Sequence, residues 1–155
     1  MARKIWSEGD LVLSLSDSKD REIRNEIHEQ IKAFNDAISE PHRLARGEGS
    51  VRPLNILLRD SNGVLRGGLI ADTYWGWMDV DDFWLHESMR RRGFGRRMIK
   101  AAEKEAIARG CQYAKLETFS FQARDFYEKC GYHVVGQLNE YPPGQAFYWM
   151  KKKLT

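Results

Sequence analysis

The segment Arg90-Arg91-Arg92-Gly93-Phe94-Gly95 carries the residue types that most directly suggest chemistry. It follows a strand-like run and opens a helical pattern. The first N–H groups of a helix lack intrahelical acceptors and carry the positive end of its dipole, so an oxygen-rich anion is a natural guest there. Glycines at 93 and 95 remove Cβ atoms that would hold such an anion off the backbone, and the arginines add charge. Taken alone, the pair is equally a tight turn with its arginines in solvent. No Gly-Lys-Ser/Thr follows, and the GxGxxG pattern is absent, so the segment is neither a Walker loop nor a dinucleotide fingerprint.

A second constellation is acidic and aromatic. Asp72, Asp79, Asp81 and Asp82 lie among Tyr74, Trp75, Trp77 and Trp84. Strand alternation predicts that side chains 79, 81, 83 and 85 share one face. Part of this group must be core, and the remainder suits a cavity for a small cation through ion pairing and cation–π contact. Cys111 and Cys130 have neither metal-ligand spacing nor the density of a disulfide scaffold, so packing is their expected role and no metal is expected.

The elements that must position these residues follow from periodicity. Leu11–Leu15 alternates as a half-buried strand, and Ile23, Ile27, Ile31, Phe34 and Ile38 mark an amphipathic helix that Asp17 or Ser18 would cap. Pro41–Ser50 reads as a loop or short irregular helix. Val51–Arg59, Leu65–Trp75 and Trp77–Leu85 read as an antiparallel meander, with Asn62-Gly63 as a hairpin signal. A helix runs from beyond Arg92 to Gly110 and is followed by a strand at Tyr113–Phe119, a short helix at Gln122–Lys129, and strands at His133–Leu138 and Phe147–Lys153. That order predicts a mixed α/β fold whose sheet is mostly antiparallel and has about seven strands.

The chain has 155 residues, 42% of them hydrophobic and 30% charged, which suits one domain over 1–155. The net charge of +3 is too small to argue for nucleic acid by itself. Neither a signal-peptide pattern nor a run of eighteen apolar residues occurs, so a soluble cytoplasmic protein with no membrane partner is expected.

Arg90, Gly93 and Gly95 match the pattern Arg/Gln-x-x-Gly-x-Gly/Ala, which resembles the acetyl-CoA signature of the GNAT superfamily of N-acetyltransferases. Ala123-Arg124-Asp125-Phe126-Tyr127-Glu128-Lys129-Cys130-Gly131-Tyr132 resembles that superfamily's AxxFYEKxGF segment. The resemblance covers roughly residues 64–153 and implies a splayed sheet that parts between Trp77–Leu85 and Tyr113–Phe119 to admit acetyl-CoA. It further implies backbone contacts to the pantetheine arm near Phe83 and Leu85, the Leu85 N–H polarising the thioester carbonyl. The N–H groups from Arg91 through Arg92, Gly93, Phe94 and Gly95 to Arg96 would cradle the pyrophosphate. Gln122, Ala123, Phe126 and Lys129 would flank the cofactor. Ser120 stands where members of the superfamily often carry Asn, and its hydroxyl or Gln122 would take over that hydrogen bond.

Tyr127 resembles the tyrosine that gives a proton to the departing sulfur, and the resemblance implies a base on the Trp77–Leu85 strand, Asp81 before Asp79. The alternative for both carboxylates is to orient substrate. A covalent route through Cys130 is disfavoured, because no histidine sits beside it except His133, across Gly131. The expected acceptor is a small polyamine-like or aminoglycoside-like primary amine, held near Asp72, Tyr74, Trp75 and Trp77. Tyr141 of the Tyr141–Gly144 loop, and the segment near His42, would close over it. A protein or peptide amine is the alternative acceptor. Outside catalysis, the alternatives are an acyl-CoA sensor and a nucleic-acid clamp built on Arg90–Arg97. Homodimers are frequent in the superfamily.

Overall fold

The computed structural model describes residues 3–45 and 47–155. Contacts divide the chain into two compact units, Met1–Arg43 and Leu44–Thr155.

In the first unit, β1 (Arg3–Glu8) and β2 (Leu11–Leu15) form an antiparallel hairpin, with Gly9 in the left-handed region at φ +53° between them. Leu11–Leu15 is a strand as expected, but every residue in it is exposed, and its partner is β1. Arg3, Lys4, Ser7 and Glu8 gave β1 no apolar alternation to read. Helix α1 (Arg21–Ile38) begins at Asp20, whose Oδ1 accepts from the Glu22 and Ile23 amides at 3.0 and 3.1 Å. The cap is therefore Asp20 rather than Asp17 or Ser18, since only the residue directly before the first turn reaches its second and third amides. The predicted stripe Ile23, Ile27, Ile31, Phe34 and Ile38 lies exposed. A short α2 (Glu40–Leu44) occupies the start of the segment predicted as loop or irregular helix, within which Arg46 is outside the described residues.

The second unit is a six-stranded sheet with two helices. Its strands are β3 (Arg52–Arg59), β4 (Leu65–Tyr74), β5 (Trp77–Leu85), β6 (Tyr113–Phe119), β7 (His133–Asn139) and β8 (Ala146–Lys153). Helix α3 (Phe94–Ala108) lies between β5 and β6 in the chain, and α4 (Arg124–Lys129) between β6 and β7. The spatial order is β3-β4-β5-β6-β8-β7, with β5 and β6 as the one parallel pair of the described sheet. The expected seventh strand is absent from this sheet because β2 pairs with β1.

Turn chemistry sets the register. Asp60 Oδ1 accepts from the amides of Asn62 and Val64 at 2.9 and 3.0 Å, and Gly63 takes φ +80°, closing the β3–β4 hairpin. Trp75 and Gly76 both take positive φ, +52° and +76°, which makes the β4–β5 connection a two-residue turn and ends the predicted strand Leu65–Trp75 one residue early, at Tyr74. One sheet face buries Leu54, Leu69, Met78 and Met150 with Ile99 of α3. Lys152 of β8 binds both oxygens of the buried Glu103 on α3, at 2.8 and 2.7 Å, and the Cys130 carbonyl after α4, at 2.8 Å.

Candidate active site

The parallel pair is short. Residues Trp77–Val80 align with Tyr113–Leu116, and beyond them β6 continues with β8 alone. The register of β5 against β4 slips at the same point: Val80 faces Ala71 and Asp82 faces Ile70, so Asp81 is the extra residue of a bulge. A cleft of about 760 Å³ opens there. Val80–Leu85 line one side and Leu116–Thr118 the other. The remaining wall comes from the start of α3 and from Phe121–Ala123 with Phe126 and Tyr127.

The backbone of β5 is offered to this cleft. The His86 amide donates to the Arg66 carbonyl at 2.9 Å, so this amide turns toward β4, while the His86 carbonyl accepts from the Met89 amide at 2.9 Å. By the alternation of an antiparallel ladder, Phe83 and Leu85 turn theirs to the opposite edge, which β6 has left. The Leu85 carbonyl is met by Arg90 Nε at 3.1 Å. Two glycines make room for the Leu85 side chain. A Cβ on Gly67 would come within 2.6 Å of Leu85 Cδ2, and one on Gly95 within 3.3 Å of Leu85 Cδ1 and 3.2 Å of Phe126.

A single turn of 3₁₀ helix, Glu87–Met89, separates β5 from the arginine-glycine segment. Arg91 holds φ +58° and Gly93 φ +79°, the latter as N-cap of α3 with no side chain to satisfy the helix amides. The first intrahelical donation is from Arg97 to the Gly93 carbonyl, at 3.1 Å, which leaves the amides of Phe94, Gly95 and Arg96 without a helical acceptor. Arg90, Arg91, Gly93, Gly95 and Arg96 line the cleft. Arg92 and Phe94 do not: the Arg92 guanidinium lies 5.4 Å from the Phe94 ring and bonds the Ser88 carbonyl at 3.3 Å. A diphosphate fits this cradle, which has unfilled amides, flanking guanidinium groups and no Cβ on Gly93.

The bulge corrects the expected alternation. Phe83 and Leu85 oppose Leu69 and Gly67 and share the core face with Met78 and Val80, while Asp79 opposes Asp72 on the other face. Asp79 is already engaged. It accepts from Tyr74 Oη at 2.7 Å and pairs with Lys115. Asp81 lines the cleft, and its carboxyl is held above the usual range by partial desolvation, then by the charges of Asp79, Asp72 and Asp82. Burial and the Asp79 carboxylate push the Tyr74 phenol up. Asp72, Tyr74, Trp75 and Trp77 stand apart from the cleft lining. Trp77 stacks on Tyr113, at 4.8 Å, where β5 and β6 are still paired.

Tyr127 is buried at the cleft wall, 7% exposed, and burial pushes its phenol up to about 12, so it stays protonated at neutral pH. Cys130 stands outside the lining, and its thiol is also raised by burial. Gln122 and Ala123 line the cleft, whereas Ser120 and Lys129 do not. Gln122 Oε1 accepts from the Phe119 amide at 2.8 Å, and Ser120 Oγ is tied to Gln145 Oε1 at 2.6 Å. Sequence reasoning missed Glu117, Thr118 and Phe121 in the wall. The signal was the predicted parting itself, since residues at the C-terminal end of β6 must face whatever enters it.

The sequence pattern of the acetyltransferase (GNAT) family matches residues 21–132. The chain belongs to this family. This acetyltransferase is 34% identical over 140 residues to an acetyltransferase of Agrobacterium fabrum, covering 90% of this chain and 96% of that one. It is 36% identical over 107 residues to the blasticidin-S acetyltransferase of Streptomyces morookaense, covering 66% and 79%. An acetyltransferase structure from Bacillus cereus superposes with a TM-score of 0.77 at 25% identity, covering 90% of this chain and 96% of that one. Acetyl-CoA is the acyl donor of the family. No helix among the described residues is long and apolar enough to cross a membrane.

Proposed function

We propose that this enzyme transfers the acetyl group to the primary amine of a small cationic molecule, by direct attack within a ternary complex. The carrying observation is the cleft, which gathers the unpaired edge of β5, the open amides at the start of α3, an acidic bulge and a buried tyrosine. A relative named for blasticidin-S supports a small-molecule acceptor. The family match runs across both compact units and supports one acetyltransferase domain over 1–155. The free cysteines Cys111 and Cys130 fit a reducing, cytoplasmic setting.

Bound acetyl-CoA would supply an acetyl group activated as a thioester. The amides of Phe94, Gly95 and Arg96, with Arg90, Arg91 and Arg96 beside them, would hold its diphosphate. The Leu85 N–H is turned to polarise a carbonyl oxygen as charge develops there. Asp81 takes a proton from the incoming ammonium, directly or through water. Its raised pKa makes it a better base than an ordinary aspartate. Tyr127 Oη would donate its proton to the thiolate sulfur that leaves when the thioester is exchanged for the new amide. Cys130, protonated and away from the lining, takes no covalent part.

The test is thiol release across aliphatic amines, polyamines, aminoglycosides, amino acids and peptides, followed by Tyr127→Phe on the best acceptor. Turnover should concentrate among small cationic amines. The variant should lose on the order of 100-fold in kcat with acetyl-CoA affinity nearly unchanged. Turnover confined to peptides, or a fully active variant, would refute the acceptor class or the proton donor respectively.

A further inference from the structure

Beside the cleft lies a group of aromatic rings that acetyl transfer does not require. Phe119 stacks on Phe121 at 5.1 Å with 10° between the planes, and meets Phe147 edge-on at 4.9 Å. Tyr141 stacks on Phe119 at 6.3 Å and Phe147 meets Trp149 at 5.2 Å. Register explains the alignment. Phe119 opposes Phe147 and Glu117 opposes Trp149 across β6 and β8, so all four share one sheet face, opposite the core residues Leu116 and Met150. Such a patch is costly to leave in water, yet Phe121 is 60% and Tyr141 55% exposed.

The patch is continuous with the cleft, because Phe121 and Glu117 belong to both. Its charge is selective. Trp149 Nε1 donates to Glu117 Oε1 at 3.0 Å, which orients that carboxylate while leaving it lone pairs for a cation. Across the cleft stand Asp81 and Asp82. Flat rings beside carboxylates accommodate a flat ring joined to an ammonium group.

Resting on the small-amine reading above, we infer that the acceptor is a cationic amine bearing a planar ring, which stacks on the Phe121–Phe119–Tyr141 rings while its ammonium is drawn to Glu117 and Asp81. The specificity-determining residues are then Phe121 and Tyr141, both exposed and outside the core, so their truncation leaves the fold intact.

The experiment compares kcat/KM for tryptamine and hexylamine, two amines of equal charge, in the wild type, Phe121→Ala and Tyr141→Ala, with acetyl-CoA affinity measured by calorimetry. Tryptamine should be preferred by about tenfold in the wild type. Each variant should reduce that preference by about 3- to 10-fold, as loss of one aromatic contact implies, the tryptamine-to-hexylamine ratio being taken within each variant so that any loss common to both amines, or traced by calorimetry to acetyl-CoA affinity, cancels. Phe121→Trp should keep the preference. Equal use of the two amines, or a preference unchanged in both variants, overturns this inference and leaves the acetyltransferase reading intact. A stronger preference for tryptophanyl peptides than for tryptamine overturns it too. Thiol release with no amine at all, despite tight acetyl-CoA binding, removes the small-amine reading and this inference together.

Discussion

Asp81 combines two properties that pull in opposite directions. Its carboxyl titrates above the ordinary range, chiefly through partial desolvation and then through the charges of Asp79, Asp72 and Asp82. The fold therefore prefers it protonated. The stability this group contributes is complete at pH below its unfolded-state pKa and is lost as pH rises through its folded-state pKa. Asp81→Asn should accordingly melt above the wild type at pH 7, with the difference vanishing near pH 3, where both side chains are neutral. The same variant should lose on the order of 100-fold in kcat and the acidic limb of the pH–rate profile. A variant that melts lower at pH 7 would show that Asp81 is held by favourable contacts, and an unchanged profile would assign the base elsewhere. The type of residue was legible in the sequence, but its direction was not: one inserted residue in β5 reverses the parity of everything after it, and nothing in Asp79-Val80-Asp81-Asp82 marks the insertion.

Among elements, the Asn62-Gly63 hairpin and the glycines flanking α3 and α4 are legible in the sequence because they have few other uses, whereas the turn at Trp75-Gly76 is not, since a tryptophan at positive φ carries no turn signal. The β1–β2 hairpin was half read, since β1 is charged and only β2 alternates. The long-range ties could not be read at all, as periodicity carries no information about pairing across fifty residues. Lys152 is the clearest case. Its ammonium joins the buried Glu103 of α3 to the end of α4, so one side chain holds together the helix that begins at the arginine-glycine segment and the helix that bears Tyr127. Removing one partner of such a pair strands the other, whereas replacing both by apolar residues of similar size removes the penalty as well. Lys152→Met should cost about 3 kcal/mol, a fall of roughly 6–12 °C in Tm. Adding Glu103→Leu should recover most of it. A double variant as unstable as the sum of both single ones would mean the pair is not coupled.

Across the whole molecule, the net charge of +3 says little, while its distribution says much, because guanidinium groups gather where β5 gives way to α3 and carboxylates where β5 bulges. The two family-like segments are far apart in the chain, yet Arg90–Arg96 and Ala123–Tyr127 meet in one cleft. That convergence makes cofactor binding a stability measurement. A ligand bound only by the native state adds about 2.7 kcal/mol at one hundred times its Kd, which for a chain of this size is a rise of roughly 5–11 °C in Tm. Acetyl-CoA should produce such a shift, and acetyl-pantetheine, which lacks the diphosphate, should produce much less at equal concentration. Gly93→Val introduces a branched side chain at φ +79° and so lowers the unliganded Tm in its own right. The informative quantity is therefore the difference between Tm with and without acetyl-CoA, which should shrink toward the acetyl-pantetheine value in this variant. Equal shifts from the two ligands in the wild type would mean that the amides at the start of α3 hold no diphosphate, and the binding energy would have to come from the β5 edge alone.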